Sequence, residues 1–521
     1  MTKSLLRLPR HTAYSNPVLK AYFNGRLSLP IVTPDEAGAR SGLSDAKKVQ
    51  WNREVLVEVL KEQAELCQAG TKAHRAIDAL LCDNAFTVCA AHQSCLFFGP
   101  RYLYYKVLST IKAARMLSSK ENPVYPVFWM GSEDHDFEEI NHIHWEGTTV
   151  QWNHEQGNAV GRMSTQGLHQ AINEVMSTAT SSLNNEELSK LQTQLDAWKT
   201  KKDATYAVLW QTALYQLFQD DELIILNADD YRLKKLFSPI MLKELRNDSL
   251  QTCIQESDEG MFAEFSMPLH VRETNLFHLE NGIRQRVELD KSNSDAVDFW
   301  CEKCTRNPEA FSPNVALRPI YQQTILPNIS FIGGPSEVAY WLQLTPAFTM
   351  LHVHYPQVLL RDQCITVSQR TIDLQQDYEA SWEALLLGDL TWQDVYLEKV
   401  FAEDLRPIIE AKKSWNEKGQ ELASYSHAME EGLGKAYEGA WSKMNKLNAT
   451  LLQKTKRYLK QRHPEMLSDW KRLTYEVRPE NILQERYAST LSLIVKKSHS
   501  KEALISAFNP FNQGIHIIIE D

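Results

Sequence analysis

Turn-formers are scarce in this chain. Glycine and proline number 20 each among 521 residues, about 8% together where ~12% is usual. So long a chain with so few turns needs long elements, chiefly helices. Long apolar runs are missing as well. Those at Val124–Met130 and at residues 515–519 fall far short of the roughly 20 residues of a membrane span. The opening MTKSLLRLPRHTAYSNP lacks the apolar stretch of a signal peptide, so a cytoplasmic location is expected. A basic excess is absent: 56 Lys+Arg stand against 66 Asp+Glu, a net charge of −10. That argues against a nucleic-acid partner. There is no internal repeat, and neither GxGxxG nor GxxxxGK[ST] occurs, which removes the standard dinucleotide and P-loop readings.

What is present is globular: 43% hydrophobic and 23% charged residues, with room for roughly three units at about 150 residues each. The eight cysteines read as buried thiols of a reducing compartment. Cys301 and Cys304 form a lone CxxC with no second pair, which reads as coincidence, not as zinc or redox chemistry.

Four short strands are expected at 87–90 (TVCA), 124–129 (VYPVFW), 223–226 (LIIL) and 358–360 (VLL). Helical patterns separate them, one opened by Gly99-Pro100 and one over 229–245. Alternation of this kind predicts a doubly wound parallel α/β sheet, residues 1–370, with polar insertions near 145–215 and 250–310. Residues 371–465 are polar and helical. There Leu433, Tyr437, Ala440, Met444, Leu447 and Leu451 step as a heptad seam. Phe401, Leu405, Ile408, Trp415 and Leu422 fit a second, interrupted by Lys412 and Gly419, with Pro407 a candidate kink. A hairpin turning near residues 432–434 follows, favoured as a dimerising arm. Residues 466–521 are expected to pack back on the core, ending in the strand-like GIHIIIE.

Polar residues follow each expected strand: His92-Gln93, then 131–136, then Asn227 and Asp229, then Arg361-Asp362. Ligands of open α/β sheets bind at the carboxyl ends of strands, so all four point at one crevice. Three motifs stand out. Trp129 leads into Gly131-Ser132-Glu133-Asp134-His135-Asp136 and on to Glu138, Glu139 and His142. Read as the start of a helix, this puts Glu133, Asp136 and Glu139 on one face and His135, Glu139 and His142 on another. Acids capping a helix would explain it blandly; a site for a cationic or polyhydroxylated ligand explains its place at a strand end. His135 and His142 are seven apart, not the four of HExxH, which weakens a zinc reading. The second motif joins His92 and Gln93 to the Gly99-Pro100 helix start, Tyr104 and Lys106, a cradle for phosphate or carboxylate. The third runs from Arg318 and Gln322 through Gly333-Gly334 to Glu337 and Tyr340, with the arginine suited to a carboxylate.

Together these blocks resemble a known family. T-x-x-x-x-H-Q-x-x-x-F-x-G-P-x-Y-x-x-Y-K, P-V-F-W-M-G-S-E-D-H-D-F-E-E-I-N-H, L-N-A-D-D-x-R-L-K-x-L-F and L-R-P-x-Y-Q-x-T-I-L-P-N-x-x-x-I-G-G-P-x-E-x-A-Y-W-L-Q-L, with the late L-Q-E-R, are similar to the bacillithiol biosynthesis cysteine-adding enzymes, the BshC family. The likeness covers nearly the whole chain. It implies a ligase that joins L-cysteine to glucosaminyl-malate. It implies a Rossmann-like, nucleotidyltransferase-like core with insertions and a coiled-coil arm that makes a homodimer. ATP is the implied cofactor, met by the Gly99-Pro100 turn, although the HIGH and KMSKS motifs of carboxylate-adenylating relatives are absent. No metal is expected. Under this reading Asp134, His135 and Asp136 serve the sugar hydroxyls and amine, with His92 a further catalytic candidate. Arg318 and Arg361 anchor carboxylate or phosphate. Gln93, Tyr104, Lys106, Trp129, Ser132 and Glu133 bind substrate. Asn227, Asp229, Gln322, Gly333, Gly334, Glu337 and Tyr340 complete that set. The family also admits Gln where His92 stands. Two rivals are a metal-dependent hydrolase using His135, Asp136, His142 and His144, and a non-catalytic coiled-coil scaffold.

Overall fold

A computed structural model describes residues 5–9, 16–27, 29, 31–155, 159–199, 204–280, 283–496, 500–512 and 514–520. Much of the opening segment read above for a signal peptide lies outside these residues. The chain forms two compact units, Met1–Ile365 with Glu485–Ile518, and Thr366–Gln484 with Ile519–Asp521.

The first unit is built on five parallel strands: β1 (Phe86–His92), β2 (Val124–Met130), β3 (Ile224–Asn227), β4 (Asn328–Gly333) and β5 (Gln357–Leu360). Side chains alternate between two apolar layers. Cys89, Ala91, Val127, Trp129, Phe331 and Leu360 enter one, while Val88, Ala90, Ile332 and Leu359 enter another. Both faces are covered, as a Rossmann-like sheet requires. Strand β4 was not expected. Asn328 and Ser330 break its apolar run, and the following glycines read as turn. Inside the sheet both oxygens find partners: Thr87 Oγ1 donates to Asn328 Oδ1 at 3.3 Å and Ser330 Oγ to Gln357 Oε1 at 3.1 Å.

The strand order is β5-β4-β1-β2-β3. From β1 the chain steps outward to β2 and β3, then returns to the other side of β1. That reversal between β1 and β4 is the switch point where open α/β sheets bind ligands. Helix α1 (Arg101–Leu117) follows β1, and α2 (Pro335–Gln343) follows β4.

The first insertion folds into helices Leu168–Ala179, Asn185–Asp196 and Tyr206–Leu217. The second contributes an antiparallel sheet of Leu276–Glu280 between Ile283–Arg286 and Phe311–Pro313, and a helix Ser294–Arg306. Cys301 and Cys304 lie buried on that helix, and burial pushes the Cys304 thiol up to about 12. The carboxyl-terminal segment joins this unit from Glu485 rather than from 466.

In the second unit, α3 (Ala402–Met429) and α4 (Glu431–Arg462) form the hairpin, turning at Glu430 alone. Pro407 lies inside α3, which continues past it. Gly419 does not interrupt the seam; it is the closest approach, since a Cβ there would fall 1.9 Å from the Trp441 ring. Gly434 does the same against His427. Leu405, Leu452 and Leu459 are buried between the helices. The heptad stripe is not: Tyr437 is 45% exposed, Leu447 56% and Leu451 48%. On α3, Trp415, Leu422, Tyr425 and Met429 are also exposed. At about 100° per residue both stripes sit roughly 90° from the buried seam. Because the helices run antiparallel, both fall on the same side of the hairpin. Among the described residues no helix is long and apolar enough to cross a membrane.

Candidate active site

A cavity of about 600 Å3 opens at the carboxyl ends of β1, β2 and β4. Of the expected residues, His92, Gln93, Lys106 and Trp129 border it, as do Glu133, Asp134, His135 and Asp136. So do Arg318, Gly334, Glu337, Tyr340 and Arg361.

The acidic motif is a loop where a helix was expected. Gly131 N–H donates to the His92 carbonyl at 2.7 Å, and a Cβ on Gly131 would meet the Gln93 backbone at 3.2 Å. The chain thus crosses close over the end of β1, and only Phe137–Ile140 is helical. The two expected helix faces do not form. Gln93 Nε2 ties the loop down, donating to Asp134 Oδ2 at 2.8 Å and Glu139 Oε2 at 3.0 Å. From the second insertion Arg284 donates to His135 Nδ1 at 2.9 Å, its guanidinium 3.8 Å from the Phe277 ring centre.

Several expected residues support the loop from beneath the cavity. Ser132 Oγ donates to Asn227 Oδ1 at 2.6 Å. Asp229 holds Arg162 at 2.6 Å and Lys234 at 2.9 Å, and Lys234 also meets Glu133 at 2.5 Å. Burial alone would raise Asp229, but Lys234 and Arg162 hold its carboxyl at about 2. Glu133 goes the other way: burial raises it despite Lys234.

On the opposite wall Lys106 is buried, 2.5 Å from Glu337 and 2.9 Å from the Ala91 carbonyl. Glu337 in turn accepts from Gly334 N–H at 2.8 Å, which fixes the turn after β4. Gly333 itself is the last residue of the strand. Arg318 Nη1 donates to Gln322 Oε1 at 2.9 Å, while its buried Nη2 makes no hydrogen bond among the described residues. Gln322 is packed away beneath it.

Four expectations are corrected. Arg361 is no two-armed anchor, because Glu485 takes its guanidinium at 2.7 and 2.8 Å with both side chains at most 1% exposed. Tyr104 points into the core against Phe218; Tyr102 faces the cavity instead. The Gly99-Pro100 turn is covered: Arg101 N–H donates to the Ala488 carbonyl and Thr490 N–H to the Gly99 carbonyl, both at 2.9 Å. The residues there do not fit a nucleotide phosphate. Finally, the hydrolase set does not assemble. Among the described residues only Asp134, His135 and Asp136 bring ligand atoms together, within 4.8 Å. His144 stacks on Tyr487 at 4.1 Å instead.

Sequence reasoning missed Tyr102, Arg272, Arg284, Arg286 and Arg486, all of which border the cavity. Tyr102 was legible, since it lies four residues before Lys106 and so shares its helix face. The arginines of the insertion carried no periodic signal.

Two expectations follow. Glu485→Gln should strand the buried Arg361 charge at a cost of about 3–5 kcal/mol. Calorimetry should show a melting point several degrees lower, and Arg361→Met with Glu485→Met should recover much of it. An unchanged melting point in Glu485→Gln would show the pair to be inert. Next, burial and then Lys106 lower His92 from 6.5 to about 4. A depressed histidine contributes stability that is fully present above 6.5 and lost as pH falls through 4, because the unfolded chain takes the proton first. Between pH 7 and 4, the melting point of His92→Gln should therefore fall less than that of the unmodified chain; parallel curves would refute the assignment.

Comparison with known proteins agrees with this architecture. Residues 13–362 match the family model described as the bacillithiol biosynthesis BshC N-terminal Rossmann-like domain. Residues 364–520 match the BshC C-terminal coiled-coil domain. The chain belongs to the BshC family. Similar relatives, each provisionally named cysteine ligase BshC, include one from Flavobacterium johnsoniae, 33% identical over 90% of this chain and 89% of its own. One from Cytophaga hutchinsonii is 30% identical over 93% and 92%. One from Bacillus cytotoxicus is 27% identical over 87% of each. Membership makes the chain a ligase of the BshC type, in bacillithiol biosynthesis, and accounts for both the Rossmann-like unit and the coiled-coil hairpin.

Proposed function

We propose that this chain forms the amide bond between L-cysteine and the amine of glucosaminyl-malate, giving bacillithiol. The observation that carries the reading is the division of one cavity into an acidic wall and a cationic wall. Asp134 and Asp136 suit sugar hydroxyls. Arg318, with Arg272 and Arg286 at the mouth, suits the carboxylates of the malyl group and of cysteine. A carboxylate does not react with an amine at neutral pH, so cysteine must first be activated, and a base must stand within hydrogen-bond reach of the amine. ATP is the proposed activator. The covered Gly99-Pro100 turn gives it no seat.

The test is direct. The chain is incubated with L-cysteine, glucosaminyl-malate and each nucleoside triphosphate in turn, with mass detection of the product. A cysteinyl adduct in one of these mixtures is expected; its absence from all of them, and from a mixture without nucleotide, would overturn the reading.

We further propose that a second copy of the chain covers the exposed side of the hairpin. Support comes from its pattern: the stripe keeps heptad spacing although the hairpin's own seam does not use it. Its residues are self-complementary apolar ones, as a two-fold helical interface requires.

A further inference from the structure

Tyr102 stands on α1 one turn before Lys106. Arg361 and Arg486 lie over its ring, 5.5 and 5.8 Å from the centroid. Its hydroxyl is 3.0 Å from His92 Nε2, and His92 Nδ1 is 3.1 Å from the Gln93 carbonyl oxygen. A carbonyl oxygen only accepts, so Nδ1 carries the proton. In the neutral ring Nε2 is then bare and accepts from the Tyr102 hydroxyl. The phenol has spent its single proton on this bond. Among the described residues its oxygen makes no other hydrogen bond, and the residue borders the cavity. What it can offer a ligand is a lone pair.

We propose that Tyr102 contacts substrate, its phenol oxygen accepting a hydrogen bond from the uncharged attacking amine, and that His92 is the positioning residue that keeps this oxygen an acceptor. The proposal rests on the ligase reading above. The surroundings select the charge state. Arg318 and Arg486 border the same cavity and disfavour an ammonium group beside them, while Glu337 and Glu485 offset the charges of Lys106 and Arg361. The acidic loop across the cavity has the opposite bias. A neutral amine, the form that can attack, is therefore the donor that suits Tyr102. Burial raises the Tyr102 phenol and, with Lys106, lowers His92 to about 4, so neither partner changes charge at neutral pH.

The full-length protein tests this in two steps. Without substrate, nitrogen NMR of 15N-histidine protein should show His92 protonated at Nδ1, with an Nε2 signal that moves on Tyr102→Phe. In steady-state assays, Tyr102→Phe should lower kcat/KM for glucosaminyl-malate at least tenfold while KM for L-cysteine stays within twofold. His92→Leu should match that loss, the double variant should be no worse, and His92→Gln, which restores an acceptor oxygen, should regain part of the rate. Unmodified rates in Tyr102→Phe, additive losses in the double variant, or a selective rise in KM for L-cysteine would overturn the proposal. The last would mean that the thiol is what Tyr102 recognises. If the unmodified chain adds no cysteine at all, the ligase reading fails, and the substrate-free nitrogen signal separates that failure from a failure of the dyad.

Discussion

Replacing Met444 and Leu447 together by lysine is expected to halve the particle mass in light scattering. Both side chains are exposed in the single chain, at 39% and 56%. Lysine there costs the isolated hairpin little, within about 0.5 kcal/mol for surface positions. Against a second copy, four lysines would enter an apolar seam, where each unpaired charge costs several kcal/mol. The variant should therefore keep its helical signal and lose its partner. A variant of undiminished mass would show that the stripe faces solvent or some other partner, and the proposed homodimer would fall.

Asp134→Asn is expected to lower cysteine addition at least tenfold, equivalent to about 1.4 kcal/mol of lost transition-state stabilisation. The side chain is a third exposed and accepts from Gln93 while lying 3.7 Å from Arg284. Asparagine keeps the size and one acceptor oxygen, so the melting point should move by no more than a few degrees. Were the loop a mere support, the outcome would reverse, with activity retained and stability lost. That pattern would shift the search for the chemistry to the Lys106, Glu337 and Arg318 wall.

Much of the fold was legible because its signals are local. Four strands of the sheet, the hairpin and the last strand, Gly514–Glu520, announced themselves as short apolar runs or heptads. The fifth strand did not, because the partners of Asn328 Oδ1 and Ser330 Oγ lie far along the chain. With it went the switch point that sets the cavity. Charge partners were equally hidden. Arg361 looks like an anchor until Glu485, 124 residues later, is seen to occupy it. In the acidic motif the residues were legible and the conformation was not. Helical spacing was read into it, whereas Gly131 folds the chain over β1.

The first unit is discontinuous: it includes Glu485–Ile518, which follow nearly the whole second unit in the chain. Synthesis runs from one end to the other, and domains fold as they emerge. Here α3 and α4 leave the ribosome before Glu485 can neutralise Arg361, and before Arg486 can reach the cavity. An arm that pairs with a second copy would be ready to do so while its own catalytic unit is still open. Assembly, on the proposed reading, would then precede completion of the cavity.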